Sequence, residues 1–285
     1  MTLKEMQTCA AETLSYFLEV MPEAPFTAED IIIELAPKEQ MAERAMALCE
    51  KYVPDKHLNE SQAAQLVNSI AGNALIGREK SAVLCFIDYN ANRHWFRQML
   101  FHEFAHIFCA KSEMDGEHFI DIYGSGTTPE NPNMTPDEKT YDGYLASGYA
   151  VWSEFIAQFL ALVFTEPGDY RIADVLEYLG RFVPEISAAS GDNDKAALAM
   201  ICATLLSCVD ANNARARSRM LNTFFPKTRP FAQEVRQAFS ECLRLLQSHL
   251  EREQPWKITE EFIAELGTKF VLFKMMNSVY CGTFG

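Results

Sequence analysis

The residues of this chain best suited to chemistry are His102, Glu103 and His106, which form the pattern H-E-x-x-H. Residues four apart lie on one face of an α-helix, so both imidazoles can bind a single metal ion. Glu103 is close enough around the same helix to reach a water molecule on that metal and to accept its proton. The pattern therefore indicates metal-assisted hydrolysis, provided that the segment is helical.

A helix is predicted from about Arg93 to Lys111, with a cap supplied by the segment Asn90-Ala91-Asn92. Several apolar residues surround the motif on this helix. They are Met99, Phe101, Phe104, Ile107 and Phe108. Polar side chains buried among them would need partners, and a bound metal ion would be such a partner.

A catalytic zinc site usually has three protein ligands and one open position, so a third ligand is required. Glu154 is the preferred candidate because it lies in an apolar segment, where a lone carboxylate is costly unless it is paired or bound to metal. Its helical neighbours Ala150, Ala157 and Ala161 form a stripe of small residues that would let its helix approach the histidine helix. The alternatives follow the motif closely and could fold back: Glu113, Asp115, Glu117, His118 and Asp121.

Three predicted elements of the chain together resemble the gluzincin branch of the zincin-like metallopeptidases. They are a strand over Ser81–Tyr89, the H-E-x-x-H helix, and a later helix with Glu-x-x-Ala as Glu154-Phe155-Ile156-Ala157. The last feature is similar to the CAAX-prenyl-protease-like peptidases and, more loosely, to the ImmA/IrrE-type metallopeptidases. The resemblance covers roughly residues 81–165, and Gln158 stands where the first group usually has Asp.

The resemblance implies a zinc metallopeptidase in which His102, His106 and Glu154 bind Zn²⁺ and Glu103 is the general base. Its substrate would be a peptide or protein, bound as an added strand along a sheet edge. That edge is expected at Ser81–Tyr89 or at a second predicted strand, His118–Tyr123. The loop Gly124–Lys139 would be either a lid or a simple surface excursion.

A second donor is needed for the negative charge that develops on the substrate during hydrolysis, and Tyr or His often has this role. The candidates are Tyr149, His118 and Tyr144. The remaining histidines have simpler interpretations. His57 and His249 lie in polar segments and are expected in solvent, whereas His94 is expected to be a capping or surface residue near the start of the motif helix.

The composition restricts the partners. The net charge of −14 disfavours nucleic acid and anionic membranes. The most apolar stretch, Phe155 to Phe164, is too short to span a bilayer, and residues 1–7 lack the features of a signal peptide. Eight scattered cysteines without a C-x-x-C pair are expected to be reduced core residues. Together these features predict a cytoplasmic protein, and they do not indicate its oligomeric state.

The predicted fold class is α+β and predominantly helical, with a zincin-like core that contains a small sheet, the motif helix and the glutamate helix. We expect an N-terminal helical region over 1–80, the catalytic core over 81–184 and a C-terminal helical region over 185–285, or one continuous domain. The predicted flanking helices are Leu3–Val20, Ala28–Leu48, Lys195–Leu221, Phe231–Glu251 and Thr259–Met276. The glutamate helix is expected to run from Gly143 or Ala146 to Phe164.

Two other functions are compatible with the same residues. The chain could be a zinc-binding regulatory or interaction protein with a zincin fold and no turnover. The intact Glu103 argues against this alternative, because a structural zinc site needs no base and usually closes its fourth position. The other alternative is an all-helical scaffold in which the motif occurs by coincidence.

Overall fold

The computed structural model describes residues 1–53, 58–67, 72–89, 92–112, 134–165, 180–181, 183, 186, 194–208 and 214–282. The chain divides into two compact units. Unit 1 comprises Met1–Glu113 and Leu160–Gly168, and unit 2 comprises Met114–Phe159 and Asp169–Gly285. The described chain is mostly helical with a small three-stranded sheet, which agrees with the predicted α+β class.

The helices and strands are numbered here in chain order. Along the described residues they are α1 (Leu3–Val20), β1 (Ile31–Ala36), α2 (Lys38–Tyr52), α3 (Glu60–Leu66), β2 (Gly72–Leu75), β3 (Ser81–Phe86), α4 (Arg93–Lys111), α5 (Pro136–Phe164), α6 (Asp194–Cys208), α7 (Ala214–Phe224), α8 (Ala232–Leu250) and α9 (Glu260–Gly282). The elements α1 to α4, with the three strands, belong to unit 1, and α6 to α9 belong to unit 2. The division falls inside α5, whose last residues belong to unit 1.

The sheet of unit 1 has the order β1-β3-β2. β1 pairs with β3 in parallel, from Ile31 opposite Ser81 to Ala36 opposite Phe86, and β2 pairs with β3 in antiparallel. The predicted strand at Ser81 is confirmed, although it ends at Phe86 and a 3₁₀ turn follows over Ile87–Tyr89. Because β3 is paired on both sides, the expectation that Ser81–Tyr89 is a sheet edge is wrong.

Helices cover both faces of this sheet. Ala82, Leu84 and Phe86 of β3 pack on one face against residues of α2, including Met41 and Ala45. α4 packs against β2 and β3, and α1 packs against α4. All six residues of β3 are buried as a result, which explains its continuous apolar sequence.

The predicted helix over Ala28–Leu48 is wrong in its first half. Residues Ala28–Asp30 form a 3₁₀ turn, with Thr27 and Asp30 in a capping box, and β1 follows directly. The three consecutive isoleucines that begin β1 are β-branched and favour a strand. Apolar residues three and four apart in this segment also fit the period of a helix, so the pattern predicted a helix where β1 lies.

The glutamate helix α5 begins seven residues before the earliest predicted start. The Oγ of Thr135 accepts a hydrogen bond from the Glu138 backbone N–H, at 3.3 Å, while the Glu138 carboxylate accepts one from the Thr135 N–H, at 2.7 Å. This capping box starts the helix, and Pro136 occupies the first helical position, where proline is well tolerated. The predicted loop therefore ends before Pro136, and its residues 124–133 lie outside the described part of the chain.

The helices of the C-terminal region agree with the sequence pattern. α8 and α9 confirm the helices predicted over Phe231–Glu251 and Thr259–Met276, and α9 continues to Gly282. The helix predicted over Lys195–Leu221 corresponds to α6 and α7, with residues 209–213 outside the described ranges. The predicted strand His118–Tyr123 also lies outside them.

Two glycines set the packing of α5 against α9 in unit 2. A Cβ atom added to Gly148 would overlap the carbonyl oxygen of Ile263, and one added to Gly267 would overlap the carbonyl oxygen of Tyr144. Each added atom would also lie within about 3 Å of the other glycine's backbone nitrogen. The two helices therefore cross at backbone contact, and only glycine fits at the crossing.

α5 is long and apolar enough to cross a membrane, judged by length and composition alone, and no other helix in the described residues meets both criteria. Half of its most apolar window is buried inside the protein. Trp152, Phe155 and Ala157 are fully buried, and Glu154 lies among them. This is also the character of a core helix, and the expected absence of a membrane partner stays a prediction.

The prediction of core cysteines holds for the cysteine side chains that the structure describes, apart from the half-buried Cys281. Six cysteine side chains are buried, one is half-buried, and all seven are free thiols: Cys9, Cys49, Cys85, Cys109, Cys202, Cys242 and Cys281. They pack as small apolar residues.

Candidate metal centre

The motif helix α4 matches the predicted bounds, Arg93–Lys111. Asn92 caps it, because its Oδ1 accepts a hydrogen bond from the backbone N–H of His94 at 2.8 Å. Phe101 and Phe104 on α4 pack against Phe17 of α1, with ring centroids 4.8 and 5.7 Å apart. These contacts fix the rotation of α4 about its axis and thereby the direction in which the motif histidines point.

The two histidines of the motif lie side by side. The Nε2 atoms of His102 and His106 are 3.0 Å apart, and the ring planes are nearly perpendicular. Two zinc–nitrogen bonds of about 2.0–2.1 Å at a tetrahedral angle would place the nitrogens about 3.3 Å apart. The observed separation is within a few tenths of an ångström of that arrangement, so the pair can bind one metal ion with little movement.

Glu154 completes a group of three potential ligands. His102, His106 and Glu154 each offer one ligand atom, and these atoms all lie within 4.8 Å of one another. All three side chains are half-buried. Farther along α5, the ring of Phe164 stacks on Phe101 of α4 at 5.7 Å. The preferred third ligand from the sequence is therefore the acidic residue that the structure groups with the two histidines.

The donor set suits zinc. Two imidazole nitrogens and one carboxylate oxygen are the ligand types of a catalytic zinc site, which leaves one position open. Within the described residues, no other group of three His, Cys, Asp or Glu side chains meets the same distance condition.

Burial lowers the pKa of His106 to about 4. The imidazole is therefore neutral at ordinary pH, which is the form that binds a metal. The half-buried position and the neutral ring both favour metal coordination over a surface ion pair.

Glu103 is buried, with 8% of its surface exposed. Burial and, after it, the charge of Glu103 raise the pKa of the Cys85 thiol of β3 well above its ordinary value. Three apolar residues that follow Glu103 on α4 have no exposed surface: Phe104, Ala105 and Ile107. The side chain of Glu103 is thus largely shielded from water.

Of the other candidate oxyanion donors and metal ligands, the structure describes only Tyr149 and Tyr144. Tyr149 is buried on α5, with 7% of its surface exposed, and lies five residues before Glu154. At about 100° per residue, its Cβ direction is about 140° around the helix from that of Glu154. Tyr144 is half-buried, and its carbonyl oxygen borders the Gly267 crossing. His118 and the alternative ligands Glu113, Asp115, Glu117 and Asp121 lie outside the described residues.

The remaining histidines correct one expectation. His94 is half-buried at the start of α4, consistent with its predicted position near the helix cap. His249 was expected in solvent but has no exposed surface. Its ring stacks on Phe262 at 3.9 Å and meets Trp152 edge to face at 4.8 Å. The polar neighbours of His249 in the sequence concealed this position, and His57 lies outside the described residues.

Comparison of the chain with protein-family models, curated proteins and solved structures gives no match.

Proposed function

We propose that this chain is a zinc-dependent metallopeptidase with a zincin-like core. The observation that carries the proposal is the group formed by His102, His106 and Glu154, with Glu103 next to the first histidine on the same helix. This is the donor set of a hydrolytic zinc site together with a carboxylate in the position of a base.

Each residue of the centre has a role in this proposal. His102, His106 and Glu154 hold the metal. When bound, zinc supplies a Lewis acid that polarises a peptide carbonyl group and acidifies water. Glu103 takes the proton from the attacking water and later delivers it to the leaving amine. Tyr149 and His118 stay the candidates for the donor to the developing oxyanion.

The substrate is proposed to be a peptide or protein segment in extended conformation. Because β3 is paired on both sides, such a segment would add to β1 or β2, whose outer edges have no strand partner within the described residues. The net charge of −14 disfavours nucleic-acid and anionic-membrane partners. The proposed location is the cytoplasm, on the basis of the scattered cysteines.

Metal content and hydrolysis test the proposal together. We expect one zinc ion per chain in protein purified without chelators, and loss of zinc in His102→Ala, His106→Ala and Glu154→Gln. Glu103→Gln should keep the zinc but lower hydrolysis of a peptide library by a factor of about 100 or more, because it removes the general base. His94→Gln, a histidine of α4 outside the group, is the matched control and should keep both zinc and activity.

The outcomes separate the competing functions. Absence of zinc, or full hydrolysis in Glu103→Gln, contradicts the metallopeptidase. Bound zinc without turnover of any peptide indicates the zinc-binding regulatory protein instead. Unchanged metal content and stability after replacement of both motif histidines indicates that the motif is a coincidence.

A further inference from the structure

His249 lies in an aromatic cage in unit 2. The cage consists of Trp152 on α5 and Phe262 on α9, and His249 itself is in the last turn of α8. The ring of His249 is nearly parallel to that of Phe262, with an interplanar angle of 18°, and nearly perpendicular to that of Trp152, at 73°. A single imidazole therefore contacts both of the other helices.

The charges around this imidazole oppose its protonation. Burial and, after it, the charge of Arg252 lower the pKa of His249 to about 4, although hydrogen bonds with the backbone of Lys257 and Pro255 act in the opposite direction. Trp152 and Phe262, which contact the ring from α5 and α9, are uncharged. Among the described residues, no carboxylate contributes to holding a proton on this ring.

The cage and the proposed ligand Glu154 share one stretch of α5, with the side chains of Trp152 and Glu154 about 200° apart around the helix. Trp152 precedes Glu154 by two residues on α5, and both belong to the described part of that helix. Trp152 is fully buried, so a charged ring against it cannot be hydrated while the helices stay packed. Protonation of His249 must therefore either displace the imidazole or separate the helices that enclose it.

We propose that His249 is an acid-sensitive latch that fastens the end of α8 to α5 and α9 while its ring is neutral and releases them when it is protonated. The release loosens the stretch of α5 that contains Trp152 and Glu154. Its effect on metal binding rests on the proposed function, whereas the latch itself does not.

The latch is tested first in metal-free protein. Trp95→Phe and Trp256→Phe leave Trp152 as the only tryptophan of the three. As the pH falls from about 6.5 to about 4, we expect the Trp152 emission to shift to longer wavelength and its quenching by acrylamide to increase at least about twofold, while the helical circular dichroism is unchanged. In parallel, the imidazole signals of His249 in the unsubstituted protein should titrate over the same range by NMR.

His249→Phe is the diagnostic variant, because a third aromatic ring keeps the cage apolar and cannot be protonated. It should abolish the shift of Trp152 emission above the pH at which the helices unfold, whereas the control His94→Gln should leave the shift unchanged. The latch is overturned if the Trp152 signal changes only together with helix content, or if His249→Phe follows the same pH course. If the variant does not fold, the NMR titration tests the latch: titration of His249 over a pH range different from that of the Trp152 shift overturns it.

Zinc retention then tests the coupling. Protonation of His102 and His106 releases zinc from both proteins, so the informative quantity is the difference between them. We expect His249→Phe to retain zinc to a pH lower by about half a unit or more. Coincident release curves overturn the coupling to the metal site. Absence of zinc at neutral pH overturns the proposed function instead, and leaves the fluorescence result standing.

Discussion

Gly148 of α5 and Gly267 of α9 face each other at a crossing where neither residue has room for a Cβ atom. Gly148 precedes Glu154 by six residues on α5, so this crossing fixes the helix that holds the proposed third ligand. The two glycines thus link the packing of unit 2 to the position of a ligand.

Gly148→Ala and Gly267→Ala should each destabilise the protein by about 1–3 kcal/mol, because the added methyl group overlaps a backbone carbonyl and forces the helices apart. Urea unfolding measures this change. Gly143→Ala is the matched control on the same helix, since a Cβ there meets nothing within 4 Å. It should raise stability by about 0.5–1 kcal/mol through the better helix propensity of alanine. Equal effects at Gly143 and Gly148 would contradict the close crossing.

The capping box at Thr135 should stabilise the start of α5. Thr135→Ala is expected to cost about 1 kcal/mol in urea unfolding, because the side-chain cap of the first turn is lost. Thr140→Ala, one turn later, should have little effect or stabilise slightly.

The cap also predicts a pH dependence. Hydrogen bonds from the backbone and side chain of Thr135 lower the pKa of Glu138. The stabilisation by the carboxylate is therefore complete above the ordinary carboxyl pKa and decreases as the pH falls through the lowered pKa of the folded state. Glu138→Gln should remove this contribution to the acid dependence, whereas Thr135→Ala keeps the backbone N–H that donates to the carboxylate and should only reduce it. An unaltered dependence in Glu138→Gln would refute the assignment.

The thiols should differ in reactivity. Burial raises the pKa of Cys109 and Cys242 to about 12, and the thiolate is the reactive form. In folded protein at neutral pH, iodoacetamide should modify the half-buried Cys281 before either of them. Peptide mapping by mass spectrometry measures the order, and urea should abolish the difference. Early modification of Cys109 in folded protein would show that α4 is packed otherwise.

Zinc should stabilise the folded chain if the three ligands bind it. A free zinc concentration of about 100 times the Kd should add about 2.7 kcal/mol to the free energy of unfolding, because the metal binds the folded state selectively. Thermal unfolding with and without zinc measures the shift. His102→Ala should lose it, and His94→Ala should keep it. An equal zinc effect in both variants would place the bound metal elsewhere.

Local signals in the sequence were sufficient to predict α4 and to group Glu154 with the two histidines, whereas metal binding by that group stays a prediction. The cap at Asn92 and the apolar pattern after it predicted the helix Arg93–Lys111. Glu154 was singled out because an unpaired carboxylate is costly to bury among apolar neighbours. In both cases the signal lies within one segment of about one helix length. The start of α5 was also encoded locally, in the segment Thr135-Pro136-Asp137-Glu138, but its proline and polar residues resembled a loop.

The features that were missed depend on distant partners. β1 is a strand because it pairs with β3, and β2 has only Gly72-Asn73-Ala74-Leu75, which carries little strand propensity of its own. His249 is buried because Trp152 and Phe262 enclose it, about 100 residues away in one case. The glycine crossing likewise needs two helices, so the sequence around Gly148 or Gly267 alone does not show that a second helix passes there.

The parallel pairing of β1 with β3 has a consequence for the order of events during folding. Ile31 lies opposite Ser81, so the pairing joins segments about 50 residues apart in the chain and pays a substantial loop-closure entropy. β3 leads within a few residues into α4, so the two histidines acquire fixed positions only after this remote pairing has formed. A metal ion at the proposed centre would therefore bind a framework that has already folded, unlike the ion of a zinc finger, which organises an otherwise unfolded chain.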